Sequence, residues 1–338
     1  MDIEAKIKEF SGKIAALKAE VSKVIVGQEE VIDRVLTAML CNGHVLLEGV
    51  PGLGKTLLVR TLAQSLALKF SRIQFTPDLM PADIVGTNII VEEEPGHRKF
   101  RFQPGPVFGN VILADEINRA TPKTQSALLE AMQEQRVTVA GQTHTLSAPF
   151  FVLATQNPIE MEGTYPLPEA QLDRFLFKVL VVPSRRQELV DVLKRTTGGE
   201  NYEPKPVLTG AELVEIQKFA REIPLGEHVS DYVARIVLGT NPASAEARDI
   251  AKKYVRYGAS PRGAQALALA AKAHALADGR VQVGIADVKA VALPSLRHRL
   301  ILNFEGEAEG ISPDSIIKQV VDETPERPVE VAKLAAKS

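Results

Sequence analysis

Apolar side chains recur at Ile3, Ile7, Phe10, Ile14, Leu17, Val21 and Val24. Steps of three and four residues gather them on one face of a helix. Val24-Ile25-Val26-Gly27-Gln28 breaks that rhythm, and a second helical stretch runs from Glu29 to Leu40. The period then shortens. Apolar runs at 44–48, 70–75, 111–114, 150–155 and 177–182 read as five buried strands. Helical stretches separate most of them, among them 57–68 and one that starts at Pro168. Strands alternating with helices predict an α/β fold: a parallel five-stranded sheet with helices on both faces. Sites in such sheets form at the carboxyl ends of the strands.

Two further stretches alternate with the period of a strand. Residues 87–91 and 99–102 flank the acidic turn Glu92-Glu93-Glu94-Pro95-Gly96, and 137–139 and 143–146 flank Ala140-Gly141-Gln142. Both read as hairpins inserted in the sheet domain. Past Pro183 the texture changes. The stretch 196–206 holds Gly198, Gly199, Pro204 and Pro206 and reads as a connector. Thr209 with Glu212 forms a capping box that opens a helix through Arg221. Helical patterns follow at 230–238, 261–277, 285–292 and 312–321, with no strand run of comparable strength. The expected organisation is an α/β domain over 1–183, with inserts near 85–103 and 136–147. A linker over 184–206, a small all-helical domain over 207–322 and a flexible tail over 323–338 follow.

Chemistry concentrates at the predicted strand ends. Gly49-Val50-Pro51-Gly52-Leu53-Gly54-Lys55-Thr56 lies between the first strand and a helix. It fits the phosphate-loop template, in the strand–loop–helix context that the template requires. The glycines let successive N–H groups from Gly49 through Leu57 turn toward phosphate oxygens, at the positive end of the helix. Lys55 is placed to reach the β/γ-phosphates of ATP and Thr56 to ligate Mg²⁺. The strand at 111–114 ends in Asp115-Glu116. Asp115 is placed to hold the Mg²⁺ shell, and Glu116 to take a proton from an attacking water. The guanine-reading run Asn-Lys-x-Asp of GTP switches does not occur.

Other positions stay open on spacing alone. Asn157, before Pro158, could face the γ-phosphate or simply form a turn. Arg174 could serve a neighbouring subunit as an arginine finger, though spacing favours a local pair with Asp173 or Glu169. Ser260-Pro261-Arg262 caps a helix and puts a cation at its positive end, which suits either a phosphate contact or a surface position. Gly27-Gln28 fits a turn against adenine as well as a plain inter-helix turn.

Composition narrows the class. The 338 residues are 45 % apolar and 24 % charged, as in ordinary globular proteins. No apolar run approaches the roughly 18 residues of a membrane span, and residues 1–20 lack a signal-peptide core, so a cytoplasmic location is expected. Cys41 is the single cysteine, which rules out an intrachain disulfide. Six scattered histidines show no ligand spacing, and no protein-only metal site is expected. A net charge of −2 gives no global pull toward nucleic acid.

With these motifs in place, the chain resembles the MoxR family of AAA+ ATPases over nearly its whole length. The likeness rests on 49–56 (Walker A), Leu113-Ala114-Asp115-Glu116-Ile117-Asn118-Arg119-Ala120 (Walker B), Ala154-Thr155-Gln156-Asn157-Pro158 (sensor 1), Gln171-Leu172-Asp173-Arg174-Phe175 and Ser260-Pro261-Arg262 (sensor 2). Phe75-Thr76-Pro77-Asp78-Leu79-Met80-Pro81 resembles the approach to the family's helix-2 insert, and the hairpin over 137–146 its pre-sensor-1 insert. The resemblance implies that Asn157 is sensor 1, Arg174 a finger acting across a subunit boundary and Arg262 the sensor 2 of the lid. It also implies a homo-oligomeric, usually hexameric ring that remodels client proteins, often with a metal-binding von Willebrand A-domain partner. Three alternatives remain at this point: a metal-chelatase motor subunit, a nucleic-acid-dependent motor and a non-hydrolysing ATP-gated scaffold. The intact Asp115-Glu116 pair and the two arginines speak against the last.

Overall fold

A computed structural model describes residues 3–50, 52–94, 97–158, 163–197 and 202–326. Pro51, Pro95, Gly96, Gly198, Gly199 and the expected tail beyond 326 lie outside the described residues. The strands are β1 (Val45–Glu48), β2 (Phe70–Gln74), β3 (Gly86–Glu94), β4 (His97–Pro104), β5 (Val111–Asp115), β6 (Arg136–Val139), β7 (Gln142–Thr145), β8 (Phe151–Gln156), β9 (Phe177–Leu180), β10 (Val255–Tyr257) and β11 (Ile301–Leu302). The helices are α1 (Ile3–Val24), α2 (Glu29–Leu40), α3 (Lys55–Ser65), α4 (Pro81–Val85), α5 (Pro122–Glu134), α6 (Glu169–Leu172), α7 (Arg186–Thr196), α8 (Gly210–Glu222), α9 (Glu227–Gly239), α10 (Asp249–Tyr254), α11 (Pro261–Ala277), α12 (Ile285–Leu296), α13 (Phe304–Ala308) and α14 (Pro313–Glu323).

The chain packs as two units. The larger comprises Ala15–Phe175 and Val179–Glu215. The expected five-stranded sheet runs in the order β2-β5-β8-β1-β9. Register decides where the strands end. Gln74 pairs with Asp115, Ala114 with Ala154, and Glu48 with Gln156, all in parallel. The carboxyl tips of β2, β5, β8 and β1 therefore stand level. Every residue of β5 except Asp115, and of β8 except Gln156, is buried. Continuous burial is what a sheet covered on both faces requires. Leu46, Ile73, Ile112, Val152 and Leu128 of α5 share one core, each buried aliphatic side chain contributing roughly 1.5–3 kcal/mol.

Both inserts are hairpins. β3 pairs antiparallel with β4 and β6 with β7. They touch through aromatic rings: Phe102 of β4 stacks on His144 of β7 at 3.9 Å, and Phe108 meets both edge-on. The expected linker over 184–206 carries α7. It is tied to the N-terminal helix by Arg195, which donates to the carbonyls of Ser22 and Lys23. Glu20 of α1 anchors the next segment. Its carboxylate accepts from the Lys205 amide at 2.8 Å, Lys23 at 2.6 Å and the Tyr202 hydroxyl at 2.6 Å, which hold its pKa down at about 2.

The smaller unit comprises described residues 3–14 and 216–326 with Leu176–Lys178. Phe10 of α1 packs edge-on against Phe219 of α8, 5.2 Å between ring centres. At its centre α11 packs against α9 and α12. Its buried face is mostly alanine, which lets helices approach closely. The expectation of an all-helical domain needs one correction: β10 and β11 form a short antiparallel ladder. Strands of three and two residues are too short to leave a periodic trace in sequence.

Candidate nucleotide-binding site

The loop after β1 is shaped by glycine. The Gly49 amide donates to the Gln156 carbonyl at 3.2 Å, tying the loop to the tip of β8. A Cβ on Gly49 would lie 2.7 Å from the Val181 carbonyl oxygen, so no larger residue fits without moving backbone. Gly54 caps α3 with φ +73°, a left-handed conformation that disfavours side chains. Lys55 then opens the helix, and its ammonium donates to the Gly49 carbonyl at 2.7 Å, folding back over the loop. Burial pushes the Lys55 pKa down, against the pull of Asp115 and Glu116. A partly desolvated cation folded over a loop of this kind is well suited to an anionic ligand. Thr56 and Val50 are half-buried and Leu57 is exposed.

The Gly27-Gln28 turn, left open by spacing, is attached to this loop. Gln28 takes a left-handed φ of 56°, and its side-chain amide donates to the Leu53 carbonyl at 2.9 Å.

Asp115 and Glu116 follow from β5. The Thr155 hydroxyl donates to Asp115 Oδ1 at 2.7 Å and accepts from the Glu116 amide at 2.8 Å. Glu116 has φ 56° and leaves the strand direction at this point. Two residues of β2 complete the constellation. Arg72 Nη2 donates to Asp115 Oδ2 at 2.6 Å and to Gln74 Oε1 at 2.7 Å. Gln74 Nε2 donates to Glu116 Oε2 at 3.1 Å, and Arg119 reaches the same oxygen at 3.2 Å. Sequence reading missed Arg72 and Gln74, because only the β2–β5 register brings them to the acidic pair.

Of the other expected residues, Asn157 is buried, 6 % exposed, just past the tip of β8. Arg174 follows α6 and donates to the Leu129 carbonyl of α5 at 2.8 Å. It lines a polar cleft of about 550 Å³ with Glu130, Arg136 and Gln171. Arg262 sits exposed in the first turn of α11, in the smaller unit, where its amide donates to the Ser260 hydroxyl as the capping pattern predicts.

The donors suit a magnesium nucleotide. The loop offers open space at Gly52 and Gly54, where nothing lies within 4 Å of an added Cβ. Asp115 and Thr56 supply the hard oxygen ligands that Mg²⁺ prefers. Among the described residues, a histidine-containing acidic group occurs elsewhere, at His274, Asp278 and Asp287. Arg280 donates to both carboxylates there, so the group is held by a guanidinium.

Comparison with known proteins agrees with this geometry. Residues 44–177 match the model of the "ATPase family associated with various cellular activities (AAA)", and 247–320 match an AAA lid domain. Chaperone MoxR1 of Mycobacterium tuberculosis is 45 % identical over 302 residues, covering 89 % of this chain and 79 % of that one. The chain belongs to the MoxR family of AAA+ ATPases. Protein MoxR of Paracoccus denitrificans is 32 % identical over 338 residues, 92 % of this chain and 96 % of that one. A crystal structure of a Cytophaga hutchinsonii protein named as a candidate ATPase superposes with a TM-score of 0.88 at 44 % identity, covering 95 % and 97 % of the two chains. The MoxR assignment brings nucleotide binding with it. No helix among the described residues is long and apolar enough to cross a membrane.

Proposed function

We propose that this MoxR protein hydrolyses ATP to ADP and phosphate and uses the cycle to remodel or activate client proteins. The observation that carries the reading is the convergence of the loop that bears Lys55 with Asp115 and Glu116 at level strand tips, the loop being tied to the tip of β8 through Gly49. ATP is the substrate, its phosphates taken by the loop amides of 49–57 and by Lys55. Thr56 and Asp115 would hold Mg²⁺, which when bound offsets phosphate charge. Glu116 takes a proton as a water oxygen forms its bond to the γ-phosphorus and the bond to the bridging oxygen breaks. Asn157 orients the γ-phosphate or the water. Arg262 of the lid and a neighbour's Arg174 stabilise charge on the transferring phosphoryl group. The Gln28 bond to the Leu53 carbonyl supports a role for Gly27-Gln28 at the adenine end of the site.

The arginine assignment rests on a ring, hexameric in the family, in which each copy completes its neighbour's site. The name of the Mycobacterium relative supports a chaperone-like role. Client proteins, a von Willebrand A-domain partner and a cytoplasmic location complete the reading. The deciding variant is Glu116→Gln. It should bind ATP within about threefold of wild type while turnover drops at least 100-fold. Unchanged turnover would remove Glu116 from the role of base.

A further inference from the structure

The acidic pair is closed into a ring of hydrogen bonds. Starting at Thr155, the path runs through Asp115 to Arg72, on to Gln74, then Glu116, and back through the Glu116 amide to the Thr155 hydroxyl. Every link is between 2.6 and 3.1 Å. The inner part of the ring is sheltered: Thr155 is 1 % exposed, and the Asp115 side chain is 14 % exposed. The outer part is wet, with the Arg72 side chain 48 % exposed.

The electrostatics of the ring are informative. Arg72 is the positive member, and it stands on the oxygen of Asp115 that the buried Thr155 hydroxyl leaves open. Thr155 fixes Oδ1 from the protein side, so Oδ2 is the side offered to a cation. A guanidinium there satisfies a half-buried carboxylate that would otherwise be costly to leave unpaired. We infer that Arg72 is a placeholder for the divalent cation at Asp115, and that the metal must displace it to reach the carboxylate. The inference rests on the reading of Asp115 as metal-facing.

The geometry has a second consequence. The same Nη2 that bonds Asp115 also holds the Gln74 carbonyl, and the Gln74 amide in turn occupies Glu116. While Arg72 is in place, one acceptor oxygen of Glu116 is engaged by Gln74. A dication at Asp115 would repel the guanidinium, so Gln74 would lose the donor that fixes it, and Arg119 would remain as the side-chain donor to that Glu116 oxygen. Metal arrival would thereby loosen one of the two side-chain donors on the base. Arg72 is thus a positioning residue, acting on both carboxylates without contacting substrate.

The test is a magnesium titration of binding rather than of turnover. A fluorescent N-methylanthraniloyl-ADP probe is bound to the full chain over a range of MgCl₂ concentrations, with a chelator setting the zero. Arg72→Met removes the competing charge, so the half-saturating Mg²⁺ concentration should fall at least threefold. Arg72→Lys keeps the charge and should stay within twofold of wild type. Gln74→Met, which only loosens the guanidinium, should shift in the same direction by less. The double variant should match Arg72→Met, because both changes act through one group. Arg72→Met and the double variant leave Asp115 without its guanidinium and should unfold somewhat earlier in the absence of Mg²⁺ than Arg72→Lys, while circular dichroism should match wild type for all four variants, so that the titrations compare folded proteins. An unchanged half-saturation in Arg72→Met, a Lys variant that behaves like Met, or shifts that add in the double variant would overturn the inference. A wild-type protein that binds the probe with Mg²⁺ yet never turns over ATP would instead count against the hydrolase reading, and the titration would still decide the role of Arg72.

Discussion

His44 shows how one buried side chain sets a pH limit on the fold. Its Nδ1 accepts from the Val152 amide at 3.1 Å, so the proton sits on Nε2, 3.2 Å from the Met132 carbonyl. That arrangement needs a neutral ring, and burial pushes the pKa from 6.5 down to about 4. The unfolded chain takes up a proton below pH 6.5 and the folded chain resists until about pH 4. Stability is therefore full above pH 6.5 and is lost as pH falls toward 4, by roughly 3 kcal/mol from this residue. Denaturant midpoints between pH 7.5 and 4.5 should fall more steeply in wild type than in His44→Gln; equal slopes would reject the assignment. At this scale the sequence was legible where chemistry is local. Lys55, Asp115 and Glu116 announced themselves by neighbouring residues. Arg72 did not, because it lies 43 positions from Asp115 and nothing around it in the chain marks it.

Elements were readable in proportion to their length and regularity. All five core strands and α1 are detectable because burial on both faces of a sheet, or on one face of a long helix, leaves an unbroken or periodic apolar record. The five-residue α4 and α13 and the β10–β11 ladder leave none. α7 was masked by a different effect: the nearby Gly198, Gly199 and Pro204 read as a break, while the helix itself is short on buried positions. The junction between β1 and α3 carries a direct prediction. With its missing Cβ aimed 2.7 Å from the Val181 carbonyl, Gly49→Ala must move either the loop or the backbone beyond β9. Nucleotide affinity should drop at least tenfold while circular dichroism retains the helix and strand content. Binding within twofold of wild type would show that the loop adapts.

For the whole molecule, the α/β architecture followed from alternation of patterns, whereas the assembly entered only through family resemblance. Spacing had favoured a local pair for Arg174; the structure shows the guanidinium on the Leu129 carbonyl at the edge of an open cleft. If that arginine serves a neighbour, mixing Arg174→Ala with Lys55→Ala subunits should restore a measurable share of turnover that neither variant has alone. No recovery in demonstrably mixed rings would count against action in trans. Glu20 bears on how this chain tolerates shortening. Its carboxylate stays ionised to about pH 2 and moors Tyr202 and the Lys205 backbone to the first helix. Trimming the N-terminus past that position would cut a mooring almost two hundred residues downstream, so the opening helix is not dispensable packaging.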